Sequence, residues 1–311
     1  MAPATLQIQD HHVLQFTSNV ELLLQQKAPI FAGLVDSKAY TGKAAQVVKR
    51  FGEVEFGPFT EGAGAGQWKG DTVWDDLEHL QRWAIPTDFV LSLAHAKGDE
   101  IRMIGDPKSP YAEAMRAAYA RKYDDLVITA ATNPAKTGTY DDMQDTPLPA
   151  GQIIGHDYDP KNQGQGLTIA KLNKAREMLL AAFNDPGEPR FFACSQKQVS
   201  DLLATTETTS ADFNNVRALV RGEVDTFMGF KFVHSERLLF TAAAGNVPQI
   251  RHCLAWCKSG LHFGTWNGLT TKIGERSDKN YVWQIWMSFT AGCARTQEKK
   301  IVQVNCSEAA A

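Results

Sequence analysis

The sequence predicts an α+β protein in which some elements pack and others project. Three features carry that expectation. Two helices are well punctuated, at residues 109–131 and 168–184. Two stretches, 281–289 and 302–306, alternate apolar and less apolar residues with the period of a strand. A glycine-rich tip at 62–70 sits between β-prone runs, the pattern of a long hairpin.

At 311 residues the chain has room for about two domains. A composition of 43% hydrophobic and 22% charged residues supports a packed core and excludes wholesale disorder. Lys and Arg total 32 against 35 Asp and Glu, a net charge of −3, so no basic excess advertises nucleic-acid binding. No apolar run approaches the ~18–20 residues of a membrane-spanning helix, and no membrane partner is expected. The start, MAPATLQIQDHH, has neither a positive region nor an apolar stretch. The expectation is therefore cytoplasmic synthesis, with the five scattered cysteines as reduced thiols.

In chain order, Ser18 and Glu21 form a capping-box pattern, and Phe16, Val20, Leu23 and Leu24 make a helical stripe that Pro29 follows. So short a helix is marginal alone and needs a surface to cover it, its own domain or another subunit. VVKRFGEVEF leads to the glycine tip, and Phe89, Leu91 and Leu93 alternate on the return. Trp68 and Lys69 stand at that tip, where an exposed aromatic favours a binding contact over a plain surface loop. Ser109 and Pro110 open the helix 109–131, with Arg116, Arg121, Lys122, Asp124 and Asp125 on one side, and Asn133-Pro134 closes it.

A loop-rich stretch, 134–166, precedes the helix 168–184, whose inward face is Ile169, Leu172, Leu179 and Phe183. RFFAC at 190–194 reads as a strand. Ser195 with Gln198 caps a helix running to Leu203, and a further short helix is expected at 211–221. Residues 226–233 read as a strand interrupted by Gly229, and the C-terminal part is β-rich.

Signatures of chemistry are missing. The glycine run lacks the spacing of a phosphate loop, and neither H-E-x-x-H nor G-x-S-x-G occurs. Asp157 and Asp159 start like a calcium loop, but Lys161 occupies the third ligand position. His252, Cys253, Cys257 and His262 form the one metal-like cluster, at a spacing that is weak for zinc. The expectation is no catalytic residue, no metal, no cofactor and no enzyme.

Two stretches carry a resemblance. RWAIPTDFVLSLAHAKGDEIRMIGDPKSPYAEAMRAAYARKYDDLVITAAT resembles the end of an extended loop running into a spine helix. RFFACSQKQVSDLLATTETTSADFNNVRALVRGEVDTFMGFKFVHSERL resembles a strand–helix–helix–strand order with a G-x-V-x-x-F-x-G-F segment. Both are similar to the major capsid proteins of tailed bacteriophages with the Hong Kong 97-type fold. The resemblance implies an N-terminal arm (1–46), an extended β-hairpin loop (47–97), a peripheral domain with a long spine helix (98–134 and 276–311) and an axial domain (135–275). It implies a subunit that self-assembles as hexamers and pentamers into an icosahedral shell around double-stranded DNA, located in the virion and assembled in the host cytoplasm. Its partners would be its own copies, a separate scaffolding protein, a portal and decoration proteins. Inter-subunit contacts would fall on Phe16, Val20, Leu23, Leu24, Trp68 and Lys69. An encapsulin-like nanocompartment shell and a metal-dependent enzyme are the alternatives.

Overall fold

The computed structural model describes residues 28–51, 79–95, 108–158, 166–182, 184–205, 226–243, 248–279 and 281–308. In its first part, strands β1 (Asp36–Ala39), β2 (Ala45–Phe51), β3 (His79–Ala84) and β4 (Thr87–His95) precede helix α1 (Lys108–Thr132). Short strands β5 (Ala135–Gly138), β6 (Met143–Thr146) and β7 (Ile153–Ile154) follow, then α2 (Ile169–Ala181), β8 (Arg190–Cys194) and α3 (Gln196–Thr205). The C-terminal half is strand: β9 (Thr226–Phe227), β10 (Phe230–His234), β11 (Phe240–Thr241), β12 (Gln249–Cys257), β13 (Leu261–Arg276), β14 (Val282–Arg295) and β15 (Ile301–Glu308).

These strands form three sheets. A body sheet runs β7-β15-β12-β8-β10-β9, with β11 also on β12. A second sheet runs β1-β13-β14-β4, and a third runs β2-β3-β5-β6. The body sheet is mixed: β8 and β10 are parallel, which requires a crossover, and α3 lies in that connection. Phe192, Ala193, Leu254, Trp256, Val302 and Val304 make its core, each at most 1% exposed. α2 lays Leu172, Ala175 and Leu179 into the same core. The Thr168 hydroxyl accepts the Lys171 N–H to open α2. The Asn184 amide donates to the Leu179 carbonyl at 2.6 Å, so α2 ends short of residue 184, and Phe183 lies outside the described residues.

α1 is buried on more than one side. Met115 meets Ile285 and Met287 on β14, and Tyr119 stands edge-on to Phe289, ring centroids 4.8 Å apart. Further along, Tyr123 lies 4.1 Å from Phe263, and Val127, Ile128 and Ala131 enter the body core. A helix wedged between two sheets needs apolar residues around much of its girth, so its sequence lacks a single clean stripe.

Two expectations are corrected. Residues 87–95 do not prolong the return arm of the hairpin. β2 pairs with β3, the chain passes Ile85-Pro86, and β4 pairs with β14, Phe89 opposite Phe289. Proline has no N–H to continue the first ladder, and the apolar side of β4 is covered only beneath α1. Residues 226–233 are not one interrupted strand. β9 and β10 form an antiparallel hairpin about Met228 and Gly229, both with positive φ (51° and 80°), as a tight two-residue hairpin turn demands. The helix expected at 211–221 lies outside the described residues.

β13 and β14 make a long hairpin in which Gly264 stands opposite Gly292. Trp266 folds over this pair: a Cβ on Gly264 would lie 2.8 Å from its ring, and one on Gly292 would overlap the Ile85 carbonyl oxygen. Gly292→Ala should therefore destabilise the subunit by ~1–3 kcal/mol. Gly268→Ala, where a Cβ meets nothing within 4 Å, should change stability by less than ~0.5 kcal/mol. Denaturant midpoints of the two variants check the difference.

Candidate functional site

The described chain begins at residue 28 and is interrupted between β2 and β3, and at each of these places a buried charge holds it to the body. The first root belongs to the N-terminal segment. The backbone N–H groups of Ile30 and Phe31 donate to the two carboxylate oxygens of Asp124, each at 3.1 Å. Asp124 has no exposed surface, and donors of this kind offset the desolvation of a buried carboxylate. Phe31 is buried 5.6 Å from the Trp256 ring, and the Trp256 indole donates to the Leu34 carbonyl at 3.1 Å. Asp124, grouped by sequence with the charged side of the helix, thus faces the core. Its neighbour Asp125 is at the surface and takes both guanidinium arms of Arg237, at 2.8 and 2.6 Å.

The second root belongs to the loop between β2 and β3. Arg82 on β3 is buried and ion-paired to Glu298 in the short turn Glu298–Lys300. Arg295, fully buried at the end of β14, donates to the Ala131 and Asn133 carbonyls at 3.1 and 3.0 Å and to the Thr146 carbonyl at 2.9 Å. It closes the open C-terminal turn of α1, where a cation also complements the helix dipole. Its Nε lies 3.8 Å from the same Glu298 carboxylate, so two buried arginines share one counter-charge. The Trp83 indole adds a bond to the Gly138 carbonyl at 2.6 Å.

Between α1 and β4 runs a groove of about 390 Å³, walled by Phe89, Leu91, Met115, Ala118, Tyr119 and Met287. Lys122 stands at its rim with Nζ 4.7 Å above the Phe89 ring. β4 is an edge of its sheet, and Val90 and Leu91 are 61% and 38% exposed.

Two titrating groups tie strands together. The Tyr40 hydroxyl and His262 Nε2 are 2.8 Å apart, joining the end of β1 to β13. Burial lowers the His262 pKa; Asp36 opposes the shift and Lys38 adds to it. Glu308 is pushed up by burial, yet the Arg251 pair and bonds from Gln198 and Ser195 outweigh this and hold it below the usual glutamate range.

Phe16, Val20, Leu23, Leu24, Trp68 and Lys69 lie outside the described residues. The metal-like four are placed and held apart by different partners. His252 meets Thr241 and Asn305, at 2.8 and 2.7 Å, and His262 meets Tyr40. Cys253 and Cys257 are buried thiols, raised by burial, with the Cys306 thiol the first cause at Cys253 and Cys257 pushed up to about 11. The rooting residues Arg82, Asp124, Arg295 and Glu298 carry no motif that the sequence displays. The one available signal was charge inside otherwise apolar runs, such as Arg295 after SFTAGCA.

Long paired strands and a rod helix beside a separate body sheet make a fold shared with solved phage capsids of the Hong Kong 97 type. A chain of the cyanophage P-SCSP1u capsid matches with a TM-score of 0.71 at 18% identity, over 97% of this chain and 94% of that one. The cyanophage Pam1 capsid matches at 0.73 and 10% identity over the whole of both chains. The capsid of Helicobacter pylori bacteriophage KHP30 matches at 0.68 and 9% identity over 99% of each. No curated protein sequence matches. The model of the phage capsid protein family matches residues 8–308, and the chain belongs to that family.

Glu298→Gln leaves Arg82 and Arg295 without their shared counter-charge and should cost about 3 kcal/mol or more, read from chemical denaturation. The His262 shift has a definite sign. With a folded pKa below ~6.5, the folded chain binds fewer protons than the unfolded one. The stabilisation is complete above the unfolded value and is lost as pH falls through the folded one. Glu308, also depressed, adds a loss at lower pH. The thermal midpoint should thus fall between about pH 7 and about pH 5, and His262→Gln should flatten that fall.

Proposed function

We propose that the chain is the major capsid protein of a tailed phage, and that its copies form hexamers and pentamers closing an icosahedral shell around a double-stranded DNA genome. The family match across residues 8–308 carries this reading. Residues 1–46 act as the arm and the stretch between β2 and β3 as the extended loop; α1 with the sheet β1-β13-β14-β4 forms the peripheral domain, and the body sheet, which β15 rejoins beside β12, forms the axial domain. The subunit does no catalysis. A net charge of −3 and the lack of a base-reading motif fit enclosure of DNA without sequence choice. Its partners are its own copies, a scaffolding protein, a portal and decoration proteins, met in the host cytoplasm where assembly occurs.

Electron microscopy of the purified protein tests the reading: closed icosahedral particles are expected, and chains that never close into shells would overturn it. The stripe Phe16, Val20, Leu23 and Leu24 covers itself on a neighbour, because so short a helix is marginal alone. Trp68 anchors the loop tip on an adjacent subunit, with Lys69 paired to an acidic residue there. A weak contact repeated at every interface multiplies through valency. Trp68→Ala should lower the melting temperature of assembled shells and leave that of the free subunit unchanged.

A further inference from the structure

We infer that the groove between α1 and β4 is the receptor for the stripe Phe16, Val20, Leu23 and Leu24 of a neighbouring copy of this chain. The inference rests on the shell reading and names the surface that reading leaves open. The groove is apolar along its floor, with Phe89, Leu91, Met115, Tyr119 and Met287, and it is open to solvent. An amphipathic helix seats in such a groove through side chains at i, i+4 and i+7, which is the spacing of Phe16, Val20 and Leu23. Two charged residues line the groove: Lys122, at the rim over Phe89, is placed to meet Glu21 beside the stripe, while Asp88 already accepts the Thr290 hydroxyl.

The point where the chain is rooted decides which copy supplies the stripe. Ile30 and Phe31 are pinned to Asp124. At ~100° per residue, Asp124 lies ~120–180° around α1 from Met115, Ala118, Tyr119 and Lys122, which face the groove. The arc around a helix with its side chains, 10–12 Å in diameter, is then ~10–19 Å. Six Cα steps separate Leu24 from Ile30, at most ~20 Å when fully extended. A chain reaching its own groove would use between half and nearly all of that length in passing over α1, which leaves little to lower the whole stripe into the floor. A stripe arriving from another copy meets no such limit.

The test uses two full-length chains, one carrying Leu23→Cys and the other Leu91→Cys, co-expressed, assembled and treated with a short bismaleimide. The native thiols give a low background, because four are buried and Cys293 is half-buried. A cross-linked heterodimer should form in assembled particles and be absent from either chain alone. Lys122→Glu should cut its yield several-fold, and Glu21→Lys in the other chain should restore it. Ala118→Cys provides a second acceptor if Leu91→Cys disturbs the subunit. Closed particles without the heterodimer would overturn this inference alone. So would a doubly substituted chain that cross-links only to itself. Failure to form particles at all would overturn the shell reading and this inference with it.

Discussion

The carboxylate of Asp124 holds the structure together in an unusual place, two-thirds of the way along a helix and out of reach of water. Its two oxygens are claimed by backbone N–H groups of Ile30 and Phe31, far away in sequence. A buried charge tolerates no substitute geometry, so this pair fixes where the N-terminal segment joins the body. Phe31 then packs on Trp256, and Trp256 carries its own bond to Leu34. The N-terminal segment, the body core and α1 meet at that one site.

The second junction follows the same logic with the opposite sign. Arg295 gathers carbonyls from the end of α1 and from β6, and it shares Glu298 with Arg82. The described ends of both segments therefore join the body through a buried ion rather than through apolar contact alone. Apolar contact is strong but permissive of sliding, whereas directional bonds to a buried charge fix orientation.

What the sequence displayed was local. Ser195 and Gln198 announced a helix start, and the Gln198 side chain does accept the Ser195 N–H, at 2.9 Å. The alternation of Val302, Val304 and Cys306 marked a strand whose alternate residues are buried. Elements that depend on distant partners were misread or missed. β4 looked like a hairpin arm because its true partner, β14, lies at the other end of the chain. β13, the longest strand, was not singled out, because Gly264, Gly268 and Gly274 break its pattern and its outer half is exposed. Asp124 read as a surface charge because nothing local distinguishes it from Asp125. The family was legible through the order of its modules, while the contact residues proposed on the arm and the tip fall outside the described part.

The two junctions sit close together on α1, at Asp124 and at the carbonyl of Ala131, about two turns apart. Before them, the described part of the helix from Glu113 rests on β14 through Met115 and Tyr119. Mechanically the helix is a cantilever, clamped over its last third and merely supported along the rest. Load that enters the body at either junction is delivered to the clamp, which makes the last third of the helix the last part to yield.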